Sequence, residues 1–427
     1  MTRQDTERFM KTTISPRKST LAFIYFTVVL DALAVGIVIP VLPKIVEEFL
    51  NGDTAKAATY YGLFGTVWAL MQFFFSPVLG AMSDRFGRRP VILISCLGLG
   101  LDYVLMALAP NLAWLFVGRV ISGITAASFS TVGAYIADIT PPENRAASFG
   151  MIGAMFGFGF VFGPALGGVL GSINPRLPFW ASAGMALLNA AYGLFVLPES
   201  LAQENRQAFS WKRANPVGAL KLLQSHHELL GLASINFLYN LAHQVYPSVF
   251  VLYVGYRYGW DARMVGLTLA IVGVCSAVVQ GVLVKPIVAS LRERKTLLLG
   301  LLCGSLAFGI YGWAPTGNLF MLGIPLGALL GLFGPAIQGL MTQRVGPNEQ
   351  GQLQGANSSI MGITGLIGPG LFTQIFALCI GSQKGLHLPG APFLLAGGLT
   401  FLGFLLAFRT AQGMMTSTTN LAAEQSR

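Results

Sequence analysis

Three ionisable side chains stand where such groups are expensive. Of the 17 acidic residues only Asp31 and Asp102 lie deep inside long apolar runs, and one base, Arg119, joins them there. A charge at the centre of a lipid-spanning helix costs about 2.5–3.5 kcal/mol on insertion scales, so each of the three must face a partner or a water-filled cavity. Asp102 and Arg119 fall at similar depth in neighbouring runs, within range of pairing. A static ion pair that locks two helices is the plain reading there. Asp31 has no acid or base at matching depth in a sequence-adjacent run, so its chemistry is that of a carboxylate that takes up a proton on one side of a membrane and releases it on the other.

A second charged group marks a turn. Gly80, Asp84, Arg85, Gly87, Arg88 and Arg89 sit between apolar runs at about residues 57–82 and 90–109. Each run has about the 20 residues needed to cross about 30 Å of hydrocarbon. The two runs form a transmembrane hairpin, with Gly80 and Gly87 suited to close approach and to the turn, and the arginines marking the cytoplasmic side. Asp84 can accept from backbone N–H groups at a nearby helix N-terminus, and Arg85, Arg88 or Arg89 can pair with Asp138. These residues, with Arg145, are expected to form a latch between conformations.

The elements that must position these groups are read from composition. The chain has 427 residues, 54% hydrophobic and 10% charged, with a mean hydropathy of +0.64; a soluble domain carries about 25% charged residues. The expected class is an all-α integral membrane protein, because barrel strands would alternate over about 10 residues and these runs are unbroken. Twelve spans are expected, near 20–42, 57–82, 90–109, 112–137, 147–170, 178–197, 229–253, 263–284, 295–313, 318–341, 355–380 and 391–408. If the Asp84 turn is cytoplasmic, the termini and inner loops hold 20 of the 27 Lys and Arg and the outer loops six, which obeys the positive-inside rule. Both termini are then cytoplasmic. The polar N-terminus leads into a full-length span without a small-residue cleavage site, so the first helix is expected to stay as a signal anchor. The +10 formal charge is spread through short loops, which gives no nucleic-acid signal.

The domain reading is an N-terminal six-helix half over 1–197, a cytoplasmic linker over 198–228 and a C-terminal six-helix half over 229–427. Within the linker, Pro216 to Leu223 reads equally as a surface amphipathic helix or as solvated chain. A shift of 205 residues superposes Pro142 on Pro347, Gly150 on Gly355, Gly157 on Gly362, and Gly163-Pro164 on Gly368-Pro369. Matches at one offset indicate duplicated modules about an axis along the membrane normal. Gly150, Gly159, Gly163, Pro164, Gly167 and Gly168 allow close helix approach with a local backbone deformation; ordinary packing is the simpler account. His243 and Gln244 read as the main polar groups of the second half, and a substrate contact competes there with a hydrogen-bonded bundle histidine. The Phe73-Phe74-Phe75 run reads as packing. Cys96, Cys275, Cys303 and Cys379 match no metal or redox spacing. No catalytic or metal-ligand cluster appears, and no phosphate-binding loop points to ATP.

Together these features resemble the major facilitator superfamily over essentially the whole chain. Asp84-Arg85-Phe86-Gly87-Arg88-Arg89 looks like its signature between helices two and three, and Arg119-Val120-Ile121-Ser122-Gly123 like its helix-four motif. The glycine pattern from Gly150 to Gly168 is similar to the motif of drug/proton antiporters. Leu30-Asp31 with Pro40 and Pro43, Leu101-Asp102-Tyr103, Tyr258-Gly259-Trp260 and Gly351-Gln352-Leu353-Gln354-Gly355 resemble the tetracycline-efflux branch. The resemblance implies proton-coupled efflux of an amphipathic compound from the cell through the inner membrane by a monomer that needs no cofactor; if the substrate is tetracycline it could arrive as a metal chelate. A metabolite or sugar transporter is the alternative on this scaffold, and a non-transporting sensor a more distant one. The chain departs from that branch where Ser276 and Gly304 replace a histidine and an acid, and where the second copy of the Asp84 turn, Lys285 to Lys295, has lost its Asp and Gly. Proton coupling is therefore expected in the first half, with Asp31 as principal carrier and Asp102 as the weaker candidate.

Overall fold

The computed structural model describes residues 18–125, 128–141, 145–207, 227–346, 349–381 and 387–425. No strand occurs among them. Lys18–Val38 (α1), Leu42–Phe49 (α2), Thr54–Phe86 (α3), Arg88–Leu108 (α4), Leu112–Thr125 (α5), Ser128–Ile139 (α6), Arg145–Ile173 (α7) and Leu177–Val196 (α8) cover the first half. The second holds His227–His243 (α9), Val245–Tyr258 (α10), Ala262–Val278 (α11), Val284–Trp313 (α12), Gly317–Leu322 (α13), Ile324–Ala328 (α14), Phe333–Thr342 (α15), Gln350–Ile380 (α16) and Ala391–Gln425 (α17).

Helix falls on each of the twelve expected spans, and among the described residues nine stretches are long and apolar enough to cross a membrane. The breaks have local causes. Pro40 and Pro43 stand at the interruption between α1 and α2, since proline lacks the N–H and clashes with the preceding turn. Spans eight and nine run as one stretch, Ala262–Trp313, through a π-helical turn at Val279–Leu283 and a kink at Arg292. Ile173, Leu188, Phe195, Trp313 and Leu322 are among the most exposed side chains. Large apolar groups turned outward at this density require lipid around them. The Pro216 to Leu223 reading, and Pro142 and Pro347 of the repeat, lie outside the described residues.

The chain divides into two compact units, Met1–Val38 with Met71–Asn215 and Ile39–Leu70 with Pro216–Arg427. In the first unit α7 lies along α1 because three glycines one turn apart remove the side chains between them. A Cβ on Gly163 would lie 2.8 Å from the Gly36 Cα, and one on Gly36 3.0 Å from Pro164 Cδ. Gly159 faces Ala32 and Gly167 faces the Ile37 carbonyl in the same way. The last carbonyls of α4 are capped by Arg176, which donates to the oxygens of Ala107 and Ala109 at 2.6 and 3.0 Å.

In the second unit, residues 39–70, which precede Met71 in the first half of the sequence, pack with second-half helices. Lys44 Nζ donates to the Trp260 carbonyl at 3.0 Å and the Tyr61 hydroxyl to the Pro247 carbonyl at 3.1 Å. Gly65 lies against Pro369. The Trp313 and Ala314 carbonyls accept from Arg257, which caps α12.

One pair of positions 205 residues apart shares an unusual backbone conformation. Gly87 takes φ 105°, ψ 159° at the start of α4, and Arg292, 205 positions later, takes φ 59°, ψ 167°. Glycine occupies this region freely, whereas another residue pays about 1–3 kcal/mol. Arg292 therefore holds, without glycine, the conformation that Gly87 takes at ease. Arg292→Gly is expected to raise the thermal unfolding temperature of the purified protein, because strain relief outweighs the about 0.5–1 kcal/mol of extra chain entropy that glycine brings. A lower unfolding temperature would show that the Arg292 side chain contributes more than its backbone costs.

Candidate functional site

Asp31 stands in the middle of α1, 6% exposed. Its partner comes from α8: Asn189 Nδ2 donates to Asp31 Oδ1 at 3.4 Å, while Asn189 Oδ1 accepts from the Thr27 hydroxyl, one turn earlier on α1, at 3.0 Å. The Cys96 sulfur lies 3.8 Å from the same amide nitrogen. Ser182 fastens α8 to α1 by donating to the Ala34 carbonyl at 2.8 Å. The carboxylate is thus held by a neutral amide and, among the described residues, has no ion pair, an arrangement that fixes its position in either protonation state. The close passage of α7 at Ala32 and Gly36 supports the same stretch of helix from another side.

Asp102 on α4 and Arg119 on α5 approach to 3.7 Å. Asp102 also has the Ser122 hydroxyl beside it, and Arg119 Nη2 lies 2.9 Å from the Met106 sulfur. The expected pairing is present as a charge contact at 3.7 Å, longer than a hydrogen bond between these two groups. A Cβ on Gly118 would come within 2.8 Å of Asp102 Oδ1, so that glycine makes room for the acid.

The charged turn is assembled around Arg88, which is buried at 8% exposure. Its guanidinium bonds Asp84, the Ser83 hydroxyl at 2.7 Å and Asp138 Oδ2 at 3.2 Å. Of the three arginines able to reach Asp138, Arg88 does so; Arg89 donates to the Leu194 carbonyl at 2.7 Å and Arg85 lies over the Phe86 ring. The N-terminus of α4 is capped by Glu199, just beyond α8, in place of Asp84. Glu199 accepts from the backbone N–H groups of Arg88 at 2.8 Å, Arg89 at 3.3 Å, Ser200 at 3.0 Å and Leu201 at 3.1 Å. Gly87 explains the difference: its left-handed turn aims those N–H groups at the end of α8, while Asp84, one helical turn before Arg88, meets the guanidinium. Gly80 is not at a close approach, since nothing lies within 4 Å of where its Cβ would be. Ser200 and Tyr135 tie the segment after α8 to α6, through Asp138 and the Pro198 carbonyl. Arg145 begins α7, but its side chain, like the surroundings of Gly150, lies outside the described residues.

In the second unit His243 ends α9, and Gln244 separates it from α10. His243 is exposed, with its ring centroid 5.8 Å from that of Tyr239 and 5.3 Å from that of Tyr246. Gln244 packs on Gly368 of α16, where a Cβ would collide with it. The polar content of this unit is larger than those two residues, because Asn236, Asn240, Gln338 and Asn357 form a hydrogen-bonded chain of amides.

The model of the Major Facilitator Superfamily matches residues 24–369 and 232–422. The chain belongs to the Major Facilitator Superfamily. Tetracycline resistance protein, class C, of Escherichia coli is 37% identical over 369 residues, covering 86% of this chain and 92% of that protein. Multidrug resistance protein 2 of Bacillus subtilis (strain 168) is 28% identical over 401 residues, covering 92% and 96%. Among solved structures, the human organic anion transporter MFSD10 (TETRAN) superposes with a TM-score of 0.67 at 23% identity, covering 92% of this chain and 100% of that one. The nucleoside transporter NupG gives 0.74 at 13% identity over 92% and 98%. These two likenesses show the fold.

Within this superfamily member, Glu199 and Asn189 were not singled out as site residues in the sequence. Each lies more than 80 residues from the group it holds, and no local periodicity signals such a pairing. A Cβ on Gly87 would meet Glu199 Oε2, and its φ is positive, so Gly87→Ala is opposed twice. Transport by Gly87→Ala is expected to fall to background while the protein remains in the membrane, as read by vesicle uptake against immunoblot; wild-type turnover would show that the turn does not govern transport.

Proposed function

We propose that this chain is a secondary antiporter that expels an amphipathic drug-like compound, tetracycline being the first candidate, in exchange for protons. It works as a monomer in the cell's inner membrane, with both termini cytoplasmic and without a cofactor. The halves 1–197 and 229–427, joined by the linker 198–228, rock as bodies and expose Asp31 alternately to the two sides. The observation that carries the reading is Asp31 itself: a carboxylate buried in a spanning helix, held by the neutral Asn189 and, among the described residues, by no base. An acid placed there at such cost needs a proton or a cation to serve. The drug-resistance names of the relatives, tetracycline resistance protein and multidrug resistance protein, support this choice over metabolite or sugar transport. Asp102 beside Arg119 supports the carrier helices, and the Asp84–Arg88–Asp138 group is the latch that forms in one state.

Uptake into inverted membrane vesicles, using a panel that includes tetracycline, tests the reading. Accumulation of at least one amphipathic compound that depends on an imposed pH gradient is the expected result. Uptake that is equal with and without the gradient for every compound would reject it.

A further inference from the structure

The amide that meets Asp31 has a direction, and a third side chain sets it. Thr27 and Asn189 are both buried. A carboxamide is nearly symmetric in shape but presents an acceptor at one end and a donor at the other. The oxygen end of Asn189 faces Thr27, whose hydroxyl donates to Oδ1 at 3.0 Å. The nitrogen end faces Asp31 Oδ1 at 3.4 Å, with the Cys96 sulfur 3.8 Å from the same nitrogen. A half turn of the amide would aim its oxygen at the carboxylate, acceptor against acceptor.

Thr27 behaves unlike other helical threonines of this chain. A threonine inside a helix ordinarily returns its hydroxyl to a carbonyl of the preceding turn. Thr268, Thr296, Thr373 and Thr400 each do so, to the residue four positions back. Thr27, in the middle of α1, donates across to α8 instead. Fastening α1 to α8 does not require this, because Ser182 makes that connection through the Ala34 carbonyl whatever the charge on Asp31. Nor do the helices around Asp31 bring a fixed charge to it among the described residues. On α7 no ionisable residue follows Arg145, and on α8 the one such group is Tyr192, which is exposed. On α4 the groups that interact with Asp31 are the Cys96 thiol and the Tyr103 phenol, both of a type that is neutral at physiological pH. The direction of the Asn189 amide is therefore the polar variable nearest the carboxylate.

We propose that Thr27 is a positioning residue for the proton carrier: by donating to Asn189 Oδ1 it keeps the N–H end of the amide toward Asp31, so that the carboxyl group meets a donor each time it gains or loses its proton. The assignment rests on the efflux reading, in which Asp31 carries the proton, and adds to it a residue that acts on Asp31 only through Asn189. Thr27→Val keeps the shape of the side chain and removes the hydroxyl, whereas Thr27→Ser keeps the hydroxyl.

The test is pH-difference infrared spectroscopy of the purified full chain in lipid nanodiscs, without substrate. The protonated carboxyl band of Asp31 is the one that Asp31→Asn removes. A carboxyl carbonyl that loses an N–H donor absorbs at higher frequency, so Thr27→Val is expected to move that band upward and Thr27→Ser to leave it at the wild-type position. Asn189→Leu should move the band as well, and Thr27→Val added to Asn189→Leu should move it no further, since residues that act in series are not additive. Thr27→Ala carries the same expectation should Thr27→Val not fold. A band at the wild-type position in Thr27→Val overturns the proposal, as does a shift in Thr27→Ser as large as in Thr27→Val, or a full Thr27→Val shift that persists in the Asn189→Leu background. Absence of any band that Asp31→Asn removes also overturns it. If the expected shifts are found while wild-type vesicles show no pH-driven uptake, the efflux reading fails and the role of Thr27 stands.

Discussion

Asp31→Asn is expected to abolish pH-driven accumulation of substrate while leaving substrate binding within a few-fold of wild type. Asparagine keeps nearly the volume of the acid and can still pair with Asn189, whose amide reaches Asp31 Oδ1 at 3.4 Å, so the α1–α8 contact is preserved. What is lost is titration. A neutral side chain cannot carry a proton across, whichever side it faces, and proton entry no longer drives substrate exit. The comparison variant is Asp102→Asn. There the loss leaves Arg119, 3.7 Å away, as an unpaired charge in the membrane, and removing one member of a buried pair costs about 3–5 kcal/mol. Asp102→Asn is therefore expected to reduce the amount of folded protein, and Asp31→Asn to reduce coupling alone. If vesicles carrying Asp31→Asn still concentrate substrate when a pH difference is imposed, another group carries the proton.

Gly163→Leu should have the next largest effect. The space a side chain would need is already filled: a Cβ there meets the Gly36 Cα at 2.8 Å and the Leu33 carbonyl at 3.0 Å, both backbone atoms. Neither can rotate away, so α7 must move off α1, at a cost of about 1–3 kcal/mol for overpacking. That displacement acts on the helix that carries Asp31. Substrate binding is expected to persist and coupled efflux to fail, measured as retained equilibrium binding with lost pH-driven uptake. Gly157→Leu is the control, because nothing lies within 4 Å of a Cβ at that position. Equal behaviour of the two variants would reduce the glycine motif to general packing.

Much of the fold was legible because the membrane imposes one-dimensional rules: a span must be long and apolar, and its ends must be charged. Those rules placed Asp31, Asp102 and Arg119 inside helices and brought Asp102 to Arg119 by depth alone. The Asp84 turn was legible from its composition, and from charge a pairing of Asp138 with one of Arg85, Arg88 and Arg89, of which the structure selects Arg88. The partners that complete each site were not. Glu199 caps α4 because a glycine with positive φ turns the helix start toward the end of α8, and a sequence shows the glycine but not the direction. Asn189 and the amide chain from Asn240 to Gln338 are neutral, so they raise no alarm in an apolar run and make their contacts only across helices. Gly80 shows the opposite limit: a glycine beside a motif need not be a contact. The interruption at Arg292 has no proline beside it to announce it, whereas at Gln244 Pro247, three residues on, lacks the N–H that would continue α9.

The central claim is that proton movement and substrate movement are one exchange, carried by Asp31. The most direct measurement is proton flux in liposomes that hold the reconstituted protein and an internal pH dye, with no pH gradient at the start. Adding tetracycline outside should drive a proton flux opposite to substrate entry in wild-type liposomes and none in Asp31→Asn liposomes that bind the same compound. Substrate entry without any accompanying proton flux in the wild type, or an undiminished flux in Asp31→Asn, would contradict the account.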